Sequence, residues 1–287
     1  SRTTSDDVSN YDGSLRAKTS TLISADGKSE TASIDLDGDG IFDRISVDGT
    51  VENADGSSTR SIIQSFANGQ TASSSIETWS ADNKTRTTNN DSDGDGAVDQ
   101  VQTVEIIGTD SVETNSVYSA DGTTLLSRSV ATTSIDGLTQ LTQTDINGDG
   151  TYDASENVVK VINPDQSSTV TVENKNGDGS VVIGKTVTTT SADGLSTTTE
   201  MYLNGEANPY QRQVSVTVLN VDDSITQTQT LFAGINQVQV SRAVSTTSAD
   251  KLSQTVEGFL GTNAAPQSVV TSVTSIDGIV TKTEFTY

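Results

Sequence analysis

The stretch Lys185-Thr186-Val187-Thr188-Thr189-Thr190-Ser191-Ala192-Asp193-Gly194 decides the fold. Its first six residues are mostly β-branched, which suits a pleated strand better than a helix. Its last four form a turn, because Asp-Gly between extended runs marks a hairpin. The turn recurs at Ser24-Ala25-Asp26-Gly27, Ser80-Ala81-Asp82-Asn83, Ser134-Ile135-Asp136-Gly137 and Ser248-Ala249-Asp250-Lys251, at Asp-to-Asp intervals of 56, 54, 57 and 57 residues. A fixed period of this kind marks a repeat architecture.

Within each period the punctuation is finer. Asp55-Gly56 and Asn68-Gly69 follow the first turn, as Pro164-Asp165 and Asn176-Gly177 follow the third. Between such signals lie alternating runs such as Val101-Gln102-Thr103-Val104-Glu105-Ile106 and Val214-Ser215-Val216-Thr217-Val218. No stretch shows the 3.6-residue apolar period of a helix. The spacing predicts an all-β chain, with about four antiparallel strands per repeat joined as a meander. Residues 1–20 read as a partial repeat. Repeats at 21–76, 77–130 and 131–187 each hold an acidic loop, and 188–244 and 245–287 are degenerate, the last one partial. This phasing predicts a segment of a longer array; the alternative is an atypical cap at each end.

Three nine-residue loops carry the chemistry. They are Asp35-Leu36-Asp37-Gly38-Asp39-Gly40-Ile41-Phe42-Asp43, Asp91-Ser92-Asp93-Gly94-Asp95-Gly96-Ala97-Val98-Asp99 and Asp145-Ile146-Asn147-Gly148-Asp149-Gly150-Thr151-Tyr152-Asp153. Each sets side-chain oxygens at positions 1, 3, 5 and 9, with Gly at 6 for a sharp turn and the carbonyl of Ile41, Ala97 or Thr151 at 7. That is the oxygen spacing of a calcium site, and a hairpin turn needs one Asp rather than four. The expectation is about three Ca²⁺ ions. The third loop extends to Glu156 at position 12, matching a whole EF-hand loop, but Ser46 and Gln102 stand there in the others and the flanks read as strands rather than helices. The series then decays. The fourth repeat offers Tyr202, Asn204, Glu206 and Tyr210, and the fifth only Gly261-Thr262-Asn263; Asn174-Lys175-Asn176-Gly177-Asp178 reads as a turn.

Composition excludes much else. The 287 residues hold 39 acidic and 16 basic side chains, a formal charge of −23, and neither His nor Cys. Imidazole bases, His metal ligands, thiol nucleophiles and disulfides are therefore absent. An acidic chain repels nucleic acid and anionic lipid, so neither is an expected partner. No run of about 18 apolar residues predicts membrane insertion. Ser (39) and Thr (45) fill nearly a third of the chain, and hydrophobic residues only 31%. Soluble domains hold about 45–50%, so a thin core is expected.

The Thr/Val strands, the Thr-Ser-Ala-Asp-Gly turn and the Asp-x-Asn-Gly-Asp-Gly loop resemble tandem repeats of very large bacterial secreted calcium-binding proteins, the RTX-type adhesins and matrix proteins. The resemblance covers essentially the whole chain. It implies an extracellular or cell-surface role, with no catalytic residues to carry over. The RTX nonapeptide Gly-Gly-x-Gly-x-Asp is absent, so a parallel β-roll is not implied. Weaker likenesses are to integrin-like propeller blades and to the YD repeats of toxin shells.

Three architectures fit: an extended sheet-like array, a β-propeller, or a row of separate sandwiches. A 56-residue sandwich with so few apolar residues is marginal, and a propeller centre needs apolar strands where Lys185–Thr190 offers hydroxyls. The extended array is the expectation, with strand edges open to other copies of the chain. The function expected is a calcium-stabilised adhesin stalk or biofilm-matrix component, self-assembling into fibres, at the bacterial surface or outside the cell. The alternative is a carbohydrate-binding module for extracellular polysaccharide, using Trp79, Tyr118, Tyr202 and Tyr210 as stacking surfaces. Turns and loops absorb nearly every Asp, so no catalytic pair stands out and no enzyme is expected.

Overall fold

The computed structural model describes residues 1–276 and 281–286. Residues 277–280 and 287, in the final partial repeat 245–287, lie outside the described residues. The described chain is all-β, without a helix, and folds as two units: Ser1–Gly137 with Leu141–Asp153, and Leu138–Gln140 with Ala154–Tyr287. No helix among the described residues is long and apolar enough to cross a membrane.

The first unit contains β1 (Arg2–Ser9), β2 (Leu15–Ile23), β3 (Ser29–Asp35), β4 (Arg44–Glu52), β5 (Ser58–Phe66), β6 (Thr71–Trp79), β7 (Thr85–Asp91), β8 (Gln100–Ile107), β9 (Asp110–Tyr118) and β10 (Leu125–Thr133). Each strand pairs antiparallel with its neighbours in sequence, from β1–β2 through β9–β10. β11 (Thr139–Asp145) leads into the third acidic loop. The second unit runs the same way through β12 (Ala154–Ile162), β13 (Ser168–Asn176), β14 (Val182–Thr190), β15 (Ser196–Leu203), β16 (Gln211–Leu219), β17 (Ile225–Ala233), β18 (Val238–Thr247), β19 (Ser253–Leu260), β20 (Ser268–Thr274) and β21 (Thr281–Thr286). Both are open meanders.

The propeller alternative fails on this pairing. Blades are separate sheets, yet within each unit the ladders cross the repeat boundaries at β2, β6, β14 and β18. β6 itself spans the boundary at residues 76 and 77, and pairs with both β5 and β7.

Every fourth strand carries a bulge at the same place. Arg16, Ala72, Leu126, Ile183 and Val240 are each skipped by the register of the preceding strand. Each lies ten residues before the Asp of a Ser-x-Asp turn, so bulge and turn keep one period. In those turns the Ser hydroxyl donates to the Asp carboxylate, as Ser24 does to Asp26, and accepts the N–H closing the loop, Ser29 to Ser24 at 2.9 Å. The residue after the Asp takes positive φ, 70° at Gly27 but also 57° at Asn83 and 59° at Lys251. Gly and Asn adopt that region readily, whereas Lys251 is strained there.

A single sheet layer has no interior. Phe259, at 7% exposure, is the one buried hydrophobic side chain among the described residues. Stability therefore rests on backbone ladders and cross-strand pairs, worth roughly 0.2–1 kcal/mol each. One example is the Arg60 guanidinium on Asp48, with Nε to Oδ1 at 2.9 Å.

Candidate metal centres

The three acidic loops join β3 to β4, β7 to β8 and β11 to β12. Each begins at the last residue of a strand, where that side chain turns under the loop. Asp35 and Asp145 are fully buried and Asp91 is 6% exposed. Burying a carboxylate is costly unless donors replace water. The donors are the loop's own N–H groups: Gly38 and Gly40 donate to the two oxygens of Asp35 at 2.7 and 2.9 Å. Gly94 and Gly96 do the same for Asp91, and Gly148 and Gly150 for Asp145. Burial pushes Asp35 up in pKa, but these N–H groups outweigh it and hold the carboxyl below its ordinary value.

Positions 3, 5 and 9 are each anchored by one oxygen. Asp37 Oδ1 accepts from Asp39 N–H at 3.2 Å, Asp39 Oδ1 from Ile41 N–H at 2.7 Å, and Asp43 Oδ2 from Leu36 N–H at 2.7 Å. The second loop repeats this with Asp93, Asp95 and Asp99. The Ser92 hydroxyl also donates to Asp99, and with the Ser92 N–H it lowers the pKa of that carboxyl. Oδ2 of Asp37, Asp39, Asp93 and Asp95 accepts no hydrogen bond among the described residues, nor do the carbonyls of Ile41, Ala97 and Thr151 at position 7. One oxygen fixes the loop and the other stays available.

The carboxylate oxygens of Asp35, Asp37 and Asp39 lie within 4.8 Å of one another, as do those of Asp91, Asp93 and Asp99. These two clusters can hold a metal ion. The third loop brings no such trio of carboxylates together. Asn147 stands at position 3, accepts from Asp149 N–H at 2.9 Å and donates to Asp149 Oδ2 at 3.2 Å, occupying an oxygen left free in the other loops. The Thr151 hydroxyl and N–H donate to Asp149 Oδ1 and lower its pKa. Thr151 and Asp153 close this loop as their counterparts do, with Asp153 N–H on the Thr144 carbonyl at 2.8 Å. Glu156 lies in β12, exposed and paired in register with Asn174.

Position 4 was not singled out by the sequence. A Cβ on Gly38, Gly94 or Gly148 would sit 2.4, 2.2 or 2.0 Å from the carbonyl oxygen of Leu15, Thr71 or Leu125. Those residues immediately precede the bulges. The loop thus packs on the bulged strand through a glycine that no side chain can replace. The sharp-turn glycines at position 6, such as Gly96, have nothing within 4 Å.

The degenerate loops keep the frame and change the filling. Tyr202 and Phe259 stand in register with Lys185 and Arg242, as Asp35 stands with Lys18 and Asp91 with Ser74. Lys185 Nζ lies 4.2 Å from the Tyr202 ring centre, and the Arg242 guanidinium 4.1 Å from that of Phe259. The loops still close, Tyr210 N–H on Met201 at 2.9 Å and Gln267 N–H on Gly258 at 2.6 Å. Where the first three loops bury a carboxylate, these two set a ring under a cation, half-buried at Tyr202 and buried at Phe259. Of the four expected sugar-stacking rings, Trp79 and Tyr202 already carry a cation, Arg86 at 5.4 Å and Lys185.

No protein-family model matches the chain, and no curated protein matches it.

Proposed function

We propose that the chain is a calcium-stabilised structural repeat protein of the bacterial surface or extracellular matrix, acting as an adhesin stalk or fibre component. The supporting observation is the geometry of the acidic loops: a buried, backbone-held Asp at position 1 and a free carbonyl at 7 in all three, with free oxygens at 3 and 5 in the first two. Calcium takes six to eight oxygens in flexible geometry, whereas Mg²⁺ demands a tight octahedron and keeps its water. The Asp35 and Asp91 loops each gather three carboxylates and form the stronger sites. The Asp145 loop, with Asn147 holding Asp149, binds more weakly, for about three ions in all.

The role assigned to the ion is mechanical. A coreless single layer has little to hold each hairpin, and a divalent cation both neutralises the crowded carboxylates and locks the turn. Outside a cell, sites with Kd of about 10⁻⁴–10⁻³ M fill, and binding contributes folding free energy there. Export from a calcium-poor interior would then deliver an unlocked chain. Isothermal titration calorimetry tests the reading: two stronger sites and one weaker site are expected, with Asp91→Ala removing one of the stronger pair. Absence of calcium uptake at millimolar concentration sinks it.

A further inference from the structure

In β13 to β20 of the second unit, antiparallel register sorts the side chains onto two faces. One face holds every charge of these strands: Glu173 and Lys185 are partners, Glu200 faces Arg212, and Arg242 stands between Thr230 and Phe259, with Lys175 and Glu257 in the same rows. The other holds none. It is built from rows such as Val170-Thr188-Thr199-Gln213-Leu231-Ser241-Leu260 and Ser215-Gln229-Ala243-Gly258-Ser268. Eight consecutive strands with one uncharged face are a marked asymmetry in a chain of formal charge −23. Neither face of the first unit is so cleared. One carries Lys18 and Glu105, the other Arg44, Asp48, Arg60 and Glu77.

We infer that this uncharged face of β13–β20 is a docking surface for the same face of a second copy of the chain, two sheets laminated into a sandwich. Three observations select that occupant. The first is the missing layer, since a sheet gains stability by burying a face against another element, and among the described residues of the second unit no strand packs on this face. The second is area: eight strands at about 4.8 Å by nine residues at about 3.3 Å give roughly 1,000 Å² per copy. Two copies bury about 2,000 Å², the upper end of a standard stable interface. The third is charge. Two strongly acidic chains approach only through a surface free of charge, and this face is that surface.

Its relief also suits an isologous contact, in which one patch must complement itself. An open groove of about 550 Å³ crosses it, lined by Ser241, Ala243, Gly258 and Ser268 of this face and bordered by Arg242 and Phe259 of the other. On the same face stand exposed apolar side chains, Leu203 at 46% and Leu219 at 64%. Knobs and a hole thus share one face. The Gln213 and Gln229 amides lining the groove can pair with their counterparts across the interface. A neutral glycan is the competing occupant, but no aromatic ring lies on this face of β13–β20: Tyr202, Phe232 and Phe259 are all on the charged one.

This inference rests on the structural-repeat reading only in taking a second copy as partner, and it uses no metal. Sedimentation equilibrium of the 287-residue chain in millimolar calcium is expected to show a dimer with micromolar Kd. Thr188→Lys with Gln229→Lys places charges in the interface and should weaken the dimer at least about a hundredfold. Thr189→Lys with Thr228→Lys, on the same strands but the charged face, should leave it intact. Circular dichroism of all three chains confirms the fold, and calorimetric calcium uptake unchanged in the Thr188/Gln229 variant separates this inference from the metal reading. A monomeric wild type, a dimer equally sensitive to both pairs, or a monomer retained on a neutral polysaccharide column through Gln229 overturns it.

Discussion

The loop after β3 and the loop after β19 start at one place in the repeat and fill it with opposite chemistry. Asp35 is fully buried and held by two backbone N–H groups; Phe259 is 7% exposed beneath Arg242. Both loops close by an N–H returning to the strand they leave, Asp43 to Ile34 at 2.8 Å and Gln267 to Gly258 at 2.6 Å. In the degenerate loops an N–H also reaches the bulge carbonyl, Asn204 to Ile183 and Gly261 to Val240. The frame belongs to the fold, and the carboxylates are an addition to it. Charge follows the same division. The first unit has nine basic against 26 acidic residues, a formal −17, and the second seven against 13, a formal −6. The acidic clusters that can hold a metal ion therefore lie in the first unit only, among the described residues.

The largest effect should come from removing divalent cations. Hydrogen exchange in chelator is expected to lose protection throughout residues 1–137 while 154–276 stay protected, because the aromatic loops need no ion. Equal loss in both regions, or none in either, breaks the comparison. Next in size is Gly94→Ala, whose Cβ meets the Thr71 carbonyl at 2.2 Å in a backbone already at φ +78°. Gly205→Ala, at the same loop position in the fourth repeat, has only the Val182 Cβ at 3.8 Å. Positive φ alone costs an L-residue about 1–2 kcal/mol, which sets the Gly205 cost; Gly94→Ala should exceed it by about 2 kcal/mol or more. Equal melting temperatures for the two variants would show that the close approach is relaxed in solution.

Smaller again is the ring under the cation. Arg242→Met keeps length and apolar stem but removes the charge over Phe259, a loss of about 0.5–2 kcal/mol. Its effect should be confined to the second unit and indifferent to calcium. A calcium-dependent effect would mean that the degenerate loops also bind an ion.

The turns were plain in the sequence because Asp-Gly and Ser-x-Asp turns leave residue-type signatures, and the loops were plain because four carboxylates in nine residues have few other uses. The bulge was invisible. Arg16, Ala72, Leu126, Ile183 and Val240 share no chemistry, since a bulge is a property of backbone pairing. The glycine at position 4 was hidden for the same reason: its constraint comes from a carbonyl about twenty residues earlier in the chain. Tyr202 and Phe259 looked like decay of the motif. Only the register, which sets them beside Lys185 and Arg242, shows that they replace Asp35 and Asp91 rather than merely lose them.

The smallest effect concerns protons. Ser191 donates to Asp193, and that hydroxyl, followed by the Leu195 N–H, holds the carboxyl below its ordinary value. Asp250 is lowered by Ser248 in the same way, and Asp222 by Ser224. A lowered folded pKa means that the unfolded chain binds more protons, so this stabilisation is complete above about pH 4, the unfolded value. It is lost as pH falls through the lower folded values. In the second unit, with no carboxylate cluster among its described residues, acid should therefore only destabilise. In the first unit protonation also relieves repulsion inside loops stripped of metal, so its response in chelator should be shallower. Ser191→Ala isolates the turn contribution: carboxyl NMR should show Asp193 titrating nearer the ordinary value, while Asp250 is unmoved. An unchanged Asp193 would assign the lowering to the Leu195 N–H instead, and the backbone rather than the serine would then be what the turn depends on.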